Sequence, residues 1–358
     1  MAQTGTDGRE ATLGFHSLDE EVTAEPTVIG DLPDWLSGTL LRNGPGRFAV
    51  GDGTVDHWFD GLAMLTRYGL DGPANRVTYR NRFLRSDAYE RAREGRFDGG
   101  FATGDAGLLR RLYHLLVREP YDNANVIVER LGDRHLALTE SPRRLVVDPT
   151  TLETLGHDRY RGPAPTGQTA CAHLRRDPER GTAVGFETAF GRTSRYHVFE
   201  TDGREREPIA SVPADEPAYM HSFALTPRYV VLTEFPFVVD PLDFLRPGAG
   251  SFVDRFRWEP ARGTRLRVIE RASGRLVAEP VTRPLFGSHH ANAYEDGDGL
   301  VIDVETVPDA SSVATLSLAD LGAGELDVLG GRLDRLRVDP AAGPGHHHGL
   351  AEVVCRAA

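Results

Sequence analysis

Short apolar segments separated by turn residues recur along the whole chain and constrain its fold more than any other feature. Examples are NVIVERLG, SRYHVFET, RLRVIER and GLVIDVETV, which are rich in β-branched side chains. Apolar segments of about four to eight residues, with Gly, Asp and Pro between them, are typical of antiparallel strands. We therefore predict an all-β fold, which could be a sandwich, a barrel or a propeller.

Composition narrows the class of protein. Of the 358 residues 40% are hydrophobic and 26% are charged, which is typical of a globular chain with a sizeable core. The net charge of −12 argues against a nucleic-acid partner. Two cysteines, Cys171 and Cys355, provide no disulfide framework, and no apolar run is long enough to span a membrane. We expect a cytoplasmic protein.

One segment breaks the strand pattern. Within DAGLLRRLYHLLVREP, leucines recur at helical spacing and Asp105 is suited to cap a helix, so we predict a short helical insertion near residues 105–118. One interpretation is an amphipathic helix that packs on the β domain. The other is an apolar surface that contacts a bilayer peripherally and collects a lipid-like substrate.

Three of the 13 histidines share a sequence context, because each stands at a turn that leads directly into a predicted strand. They are His173, His221 and His289, separated by 48 and 68 residues. Intervals of this size are about one four-stranded propeller blade plus loops. If each histidine begins an inner strand of a separate blade, the three imidazoles would converge on one metal. Imidazole suits iron, zinc, copper or nickel, and the residues alone leave that choice open.

A set of longer motifs resembles one known family. GTLLRNGPGRF, DHWFDGLAMLTRY, NRFLRSDAYERA, NANVIVERLGDRHLALTESP, TACAHLRRDPERG, MHSFALTPRYVVLTEFP and HHANAYED run in this order from about residue 25 to about residue 310. Together they resemble the carotenoid cleavage oxygenases, which include the retinal pigment epithelium isomerase and the apocarotenoid oxygenases. The resemblance implies a seven-bladed β-propeller with Fe(II) on its axis and a reaction of O2 with one double bond of an apolar polyene, giving carbonyl products.

The resemblance also assigns residues. His173 and His221 match the first two iron ligands of the family. The third ligand stands three residues before the Asn of the N-A-[YW]-E motif, which is Asn292 here, so His289 matches it and His290 does not. Glu140, in LALTESP, matches a carboxylate that orients a ligand imidazole, since a carboxylate on the distal N–H fixes the tautomer and raises ligand basicity.

Other residues have weaker assignments. Phe235, Phe237 and Tyr294 could line a polyene tunnel, although burial in the core is the simpler expectation for each aromatic ring. Residues 44–46, with the sequence Gly-Pro-Gly, are predicted to form a tight turn. Glu295 is predicted to accept hydrogen bonds in a local turn.

The C-terminal part departs from the family pattern. A fourth histidine ligand is implied in a short FHG motif, but His348 in HHHG follows His289 by 59 residues and no Phe precedes it. We therefore expect a chain truncated relative to the family, with the remaining ligand-orienting carboxylates beyond it. The expected organisation is an N-terminal segment, a partial propeller domain and an atypical tail, at residues 1–24, 25–320 and 321–358. Three interpretations remain open: a dioxygenase, a catalytically silent fragment that binds an apolar ligand or nothing, or a zinc or copper site in an unrelated propeller.

Overall fold

Antiparallel strands dominate the fold, which confirms the all-β prediction. The computed structural model describes residues 12–97, 99–104, 121–246, 250–324, 330–343 and 352–357. Within these residues, five sheets of four or five strands follow one another along the chain. A number of seven blades stays a prediction.

The first sheet has the strand order β1–β6–β5–β2, and a separate ribbon joins β3 to β4. These strands are β1 (Thr23–Ala24), β2 (Ser37–Arg47), β3 (Ala49–Val50), β4 (Gly53–Thr54), β5 (Leu62–Asp71) and β6 (Arg76–Phe83). The tight turn predicted at residues 44–46 is wrong, because these residues lie inside β2, where Gly44 and Pro45 pair with β5 and Gly46 stands at a shift of register. A Cβ atom at Gly46 would stand 2.6 Å from Cβ of Met64, so glycine is required there by close packing and not by a turn.

The second and third sheets supply Glu140 and the first histidine of the set. The second has the order β10–β9–β8–β7, and the third has β11–β13–β14–β15 with β12 also paired to β13. Their strands are β7 (Ile127–Leu131), β8 (Arg134–Thr139), β9 (Ser141–Val147), β10 (Thr154–Asp158), β11 (Thr169–Ala170), β12 (Arg175–Asp177), β13 (Thr182–Ala189), β14 (Ser194–Thr201) and β15 (Arg206–Ala214).

The fourth and fifth sheets carry the other two histidines. The fourth has the order β16–β17–β20–β21, and β22 also pairs with β20. A separate ribbon joins β18 to β19. The fifth sheet is a meander of β23 to β26. Their strands are β16 (Ala224–Leu225), β17 (Tyr229–Glu234), β18 (Phe237–Val238), β19 (Arg257–Trp258), β20 (Thr264–Glu270), β21 (Leu276–Ala278), β22 (Val281–Thr282), β23 (His290–Asp296), β24 (Gly299–Thr306), β25 (Arg332–Val338) and β26 (Glu352–Ala357). Two strands therefore come from the segment after residue 320.

Helical structure in the described residues is short. It comprises α1 (Asp87–Arg93), α2 (Leu318–Ala323) and 3-10 turns at Leu13–Phe15, Trp58–Asp60, Pro241–Leu245, Val253–Arg255, Pro260–Arg262 and Ala310–Leu316. The helix predicted near 105–118 falls outside the described residues. Among the helices that are described, none has the length and apolar character needed to cross a bilayer.

Consecutive sheets share apolar cores. One cluster joins the second, third and fourth sheets through residues such as Leu136, Phe186 and Val230, and another joins the fourth and fifth through Val268 and Ile302. Burial of such a side chain contributes about 1.5–3 kcal/mol. Because each sheet packs on the next, the turns that lead into β12, β16 and β23 are brought close together, and the three histidines stand in these turns.

Candidate metal centre

Each of the three predicted ligands stands just ahead of a strand that belongs to a different sheet. His173 precedes β12, His221 precedes β16 and His289 directly precedes β23. The structure brings the three side chains together: one nitrogen from each ring lies within 4.8 Å of those of the other two. The context noted in the sequence, a turn that leads into a strand, is thus shared by all three in the fold.

The rings converge edge to face. Nε2 of His173 lies 2.8 Å from Nε2 of His221, and both rings lie 5.0 Å from the ring of His289, measured between centroids. Imidazole nitrogens bind metals at about 2.0–2.1 Å, so two that bind one metal at right angles stand about 3 Å apart. The observed spacing of the His173 and His221 nitrogens is therefore close to that of neighbouring ligands.

Glu140, which the family resemblance assigns to the orientation of a ligand imidazole, contacts His221. Its Oε1 atom lies 2.6 Å from Nδ1 of His221 in the turn between β8 and β9. Because Nδ1 of His221 keeps its proton and donates it to this carboxylate, the lone pair of Nε2 faces the centre. The hydroxyl of Tyr219 donates to both oxygens of Glu140, at 2.9 and 3.0 Å, and so holds the carboxylate in place.

A second carboxylate contacts His289. Oε2 of Glu305, at the end of β24, lies 3.2 Å from Nδ1 of His289, and the Glu305 backbone N–H donates to the His289 carbonyl at 2.9 Å. Both side chains are about half exposed, at 51% for His289 and 55% for Glu305, so this contact is weaker than the one at Glu140. Sequence reasoning missed both Glu305 and Tyr219, because neither stands in a motif that marks a long-range contact.

His290, the other member of the His-His pair, faces away from the cluster into the protein. Its ring is buried, with Nδ1 2.8 Å from the Ser222 hydroxyl and Nε2 2.8 Å from the Thr233 hydroxyl. Both nitrogens therefore have protein partners. The adjacent residues His289 and His290 thus point in different directions, as expected at the start of a strand.

Burial favours the neutral form of His173 and of His289. The pKa of His173 falls to about 3, chiefly because burial disfavours the charged ring and then because His221 and His289 are close. The pKa of His289 is lowered for the same first reason, while its contact with Glu305 acts in the opposite direction. Neutral imidazole is the form that binds a metal, so the donor set fits a transition-metal ion.

A large cavity opens beside the three histidines. Its volume is about 1510 Å³ and its lining includes all three rings and Glu140. Part of it is an aromatic wall of six rings in mutual contact: Phe101, Phe190, Tyr219, Phe244, Phe252 and Phe256. The surface of the cavity is mainly apolar, and its aromatic wall suits a long hydrocarbon ligand.

The aromatic residues proposed from the sequence for a tunnel do not line this cavity. Phe235 and Phe237 are buried in the core between the fourth and fifth sheets, as their simpler interpretation predicted. Tyr294 is 37% exposed. Glu295 accepts from the Thr226 hydroxyl and from Arg228, so it binds a turn of the neighbouring sheet and not its own.

A second group of potential ligands, Asp87, Asp122 and His157, has a structural explanation. Asp122 accepts the backbone N–H groups of Asp87 and Ala88, and thereby caps α1, while it lies 2.7 Å from Nε2 of His157. Arg143 already pairs with Asp87 at 2.7 Å. The negative charge here is compensated without an ion. The tail histidine His348 falls outside the described residues.

Comparison with known proteins identifies the family. The sequence model described as retinal pigment epithelial membrane protein matches residues 15–355. The chain belongs to this carotenoid oxygenase family. The structure of a Synechocystis apocarotenoid oxygenase variant is similar, with a TM-score of 0.77 and 26% identity, covering 96% of this chain and 72% of that one. Cobalt-substituted Synechocystis apocarotenoid oxygenase is equally similar, with 27% identity, a TM-score of 0.77 and coverage of 94% and 71%.

Three named carotenoid oxygenases match the sequence at 29–30% identity. The carotenoid isomerooxygenase of Galleria mellonella is 30% identical over 349 residues, which cover 85% of this chain and 63% of that protein. The β,β-carotene 15,15'-dioxygenase of Rattus norvegicus is 29% identical over 348 residues, covering 87% and 60%. The apocarotenoid-15,15'-oxygenase of Synechocystis is 30% identical over 331 residues, covering 88% and 65%. The chain thus spans less than two thirds of the length of these relatives.

Proposed function

We propose that the protein is a non-haem Fe(II) dioxygenase that cleaves a double bond of a carotenoid or apocarotenoid with O2, giving two carbonyl products. The observation that carries the proposal is the convergence of His173, His221 and His289 from three sheets at the side of one apolar cavity. The relatives support the substrate class, since they are carotenoid- and apocarotenoid-cleaving oxygenases by name. The cobalt-substituted relative supports a transition metal.

The three histidines would hold the iron through neutral nitrogens. When bound, the iron would supply the site at which O2 is activated beside the polyene. Glu140 keeps the proton on Nδ1 of His221, and Tyr219 keeps that carboxylate oriented. The aromatic wall binds the polyene and excludes water from it. No protein nucleophile is required for this reaction.

Metal content and polyene turnover test the proposal together. Protein reconstituted anaerobically with Fe(II) and then desalted should retain about one iron per chain, and it should bleach β-carotene or an apocarotenal only when O2 is admitted. Products made under 18O2 should carry the label in their carbonyl oxygens. Iron and polyene binding without turnover would support the silent-fragment alternative, and absence of metal binding would exclude the proposed centre.

The substrate class also suggests peripheral contact with a lipid surface. Leu242 and Leu245 are 63% and 42% exposed in the 3-10 turn Pro241–Leu245, and Phe244 of the same turn lines the cavity. We propose that this turn touches the membrane from which the polyene enters. Leu242→Glu should reduce co-sedimentation with phosphatidylcholine vesicles, whereas Leu155→Glu, at a residue with 61% exposure on β10, should not. Equal sedimentation of the two variants would exclude this role.

A further inference from the structure

One guanidinium joins the three segments that carry the histidines. Arg175 follows His173 by two residues, and its Nε donates to the carbonyl oxygen of Phe223 at 2.8 Å. Its Nη2 donates to the carbonyl oxygen of His290. Phe223 stands two residues after His221, and His290 stands directly after His289. A single side chain therefore contacts the backbone beside two of the histidines and is itself attached beside the third.

The environment of Arg175 makes these two bonds important. The side chain is half-buried, and burial lowers its pKa, although a guanidinium stays protonated in proteins. Among the described residues, no carboxylate forms an ion pair with it. A partly desolvated cation without a counterion is costly, so its hydrogen bonds to the two carbonyl oxygens carry the compensation. The planar guanidinium offers donors in a fixed geometry, which an ammonium group does not.

Ser222 supplies a second connection between two of the segments. Its hydroxyl donates to the carbonyl oxygen of Ser288 at 2.7 Å and accepts the backbone N–H of His290 at 3.0 Å. The segments of His221 and His289 are thus tied to each other directly. Arg175 adds the segment of His173 to this pair. The β23–β24 ladder changes register between His290 and Asn292, next to the carbonyl that Arg175 binds.

We propose that Arg175 is a positioning residue of the centre: by binding the carbonyl oxygens of Phe223 and His290, it sets the spacing of the three histidines without contacting the metal. This inference rests on the proposed metal centre. Holding the segments together before the ion arrives removes the entropy cost of ordering them on binding, which strengthens binding. The positive charge of Arg175 also repels a metal ion. If Arg175 positions the histidines, its replacement should therefore weaken metal binding, because displacement of the histidines outweighs the removal of this repulsion.

The neighbouring arginine provides a matched control. Arg176 is 53% exposed and donates to the Glu129 carboxylate, at 2.9 Å, and to the Arg130 carbonyl. Successive side chains of a strand point to opposite faces, so Arg176 faces away from the histidine segments. Arg176→Gln removes the same charge from the next position in the chain and leaves the contacts of Arg175 in place.

Cobalt binding tests the proposal. Titration of metal-free protein with Co²⁺, followed by visible absorption, should give a dissociation constant at least tenfold higher for Arg175→Gln than for wild type, with a displaced d–d band. Arg176→Gln should match wild type in both. Arg175→Lys keeps the charge but replaces the planar guanidinium with an ammonium group whose donors have no fixed geometry, so it should resemble Arg175→Gln. Wild-type affinity and spectrum in either Arg175 variant would overturn the proposal.

Hydrogen exchange separates this inference from the proposed function. In metal-free protein, amides in residues 219–226 and 286–293 should exchange faster in Arg175→Gln than in wild type, and Arg176→Gln should leave them unchanged. Unchanged exchange in Arg175→Gln would contradict the positioning role even if cobalt binds. If wild type binds no Co²⁺, the metal centre fails, while the exchange data still decide whether Arg175 holds the segments together.

Discussion

Oε1 of Glu140 lies 2.6 Å from Nδ1 of His221, and the opposite nitrogen of that imidazole faces the other two histidines. The carboxylate therefore determines which nitrogen of His221 carries its proton. Loss of a carboxylate in this position typically weakens metal affinity by about 10–100-fold. Glu140→Gln should show a weakening of this size by isothermal titration with Co²⁺. Glu153→Gln, at an exposed glutamate that pairs with Arg82, should not.

Tyr219→Phe should have a smaller effect of the same kind. The change removes the hydroxyl that binds Glu140 and keeps the ring in the aromatic wall. A hydrogen bond to a charged group contributes about 1.5–3 kcal/mol, part of which should appear as weaker Co²⁺ binding. Because Tyr219 acts through Glu140, the double variant Tyr219→Phe/Glu140→Gln should bind no more weakly than Glu140→Gln alone. Additive losses would show that Tyr219 acts independently.

The two adjacent histidines should separate metal binding from stability. His289→Ala should abolish stoichiometric metal binding and leave the thermal midpoint of the metal-free protein nearly unchanged, since His289 is half exposed. His290→Ala should retain most of the metal binding. It leaves the buried Ser222 and Thr233 hydroxyls without their ring partner, at a cost of about 1–3 kcal/mol in unfolding free energy. The reverse pattern would refute both assignments.

Acid should destabilise the metal-free protein through His290. Burial, and then the charge of Arg175, lowers the pKa of His290 to about 3, below its unfolded value of about 6.5. At pH values between these two pKa values, His290 is protonated in the unfolded chain and neutral in the folded one. The free energy of unfolding therefore falls as pH falls, by up to about 1.4 kcal/mol per pH unit. Urea denaturation at pH 7, 6 and 5 should show this decline, and it should be shallower in His290→Asn. An equal slope in both proteins would assign the proton uptake to other groups.

Gly287→Ala should disturb the centre through the backbone. A Cβ at Gly287 would lie 2.1 Å from the carbonyl oxygen of Glu305, so β24 or the turn before His289 must shift. Overpacking of this kind costs about 1–3 kcal/mol. We expect a lower thermal midpoint together with weaker Co²⁺ binding. Gly191→Ala, where the added Cβ meets no atom within 4 Å, should change neither property.

Sequence patterns predicted the strands well because alternation and turn residues are local signals. These signals predicted that a strand begins just after His173, His221 and His289. The longer motifs indicated the family. Residues 44–46 were placed in a turn because Gly and Pro favour turns, but pairing of β2 with β5 prevailed over that local preference.

The contacts that orient the histidines could not be predicted in the same way. Tyr219 has the pattern of an ordinary aromatic residue before a strand. Glu305 resembles any polar residue at the end of a strand. Arg175 is one of several charged residues in LRRDPERG. Their partners are distant in sequence: Glu305 contacts His289, 16 residues away, and Arg175 contacts His290, 115 residues away. Such pairings depend on how sheets pack, and periodicity within one strand carries no information about that.

The histidines stand at strand starts, whereas much of the aromatic wall comes from the connection between β17 and β20, which carries Phe244, Phe252 and Phe256. The length and composition of that connection can therefore change without moving any strand that holds a histidine. In the proposed dioxygenase, changes in this connection should therefore alter which polyene binds and leave the histidine centre intact. For an engineer, residues 240–260 are the part to exchange when a different substrate is wanted.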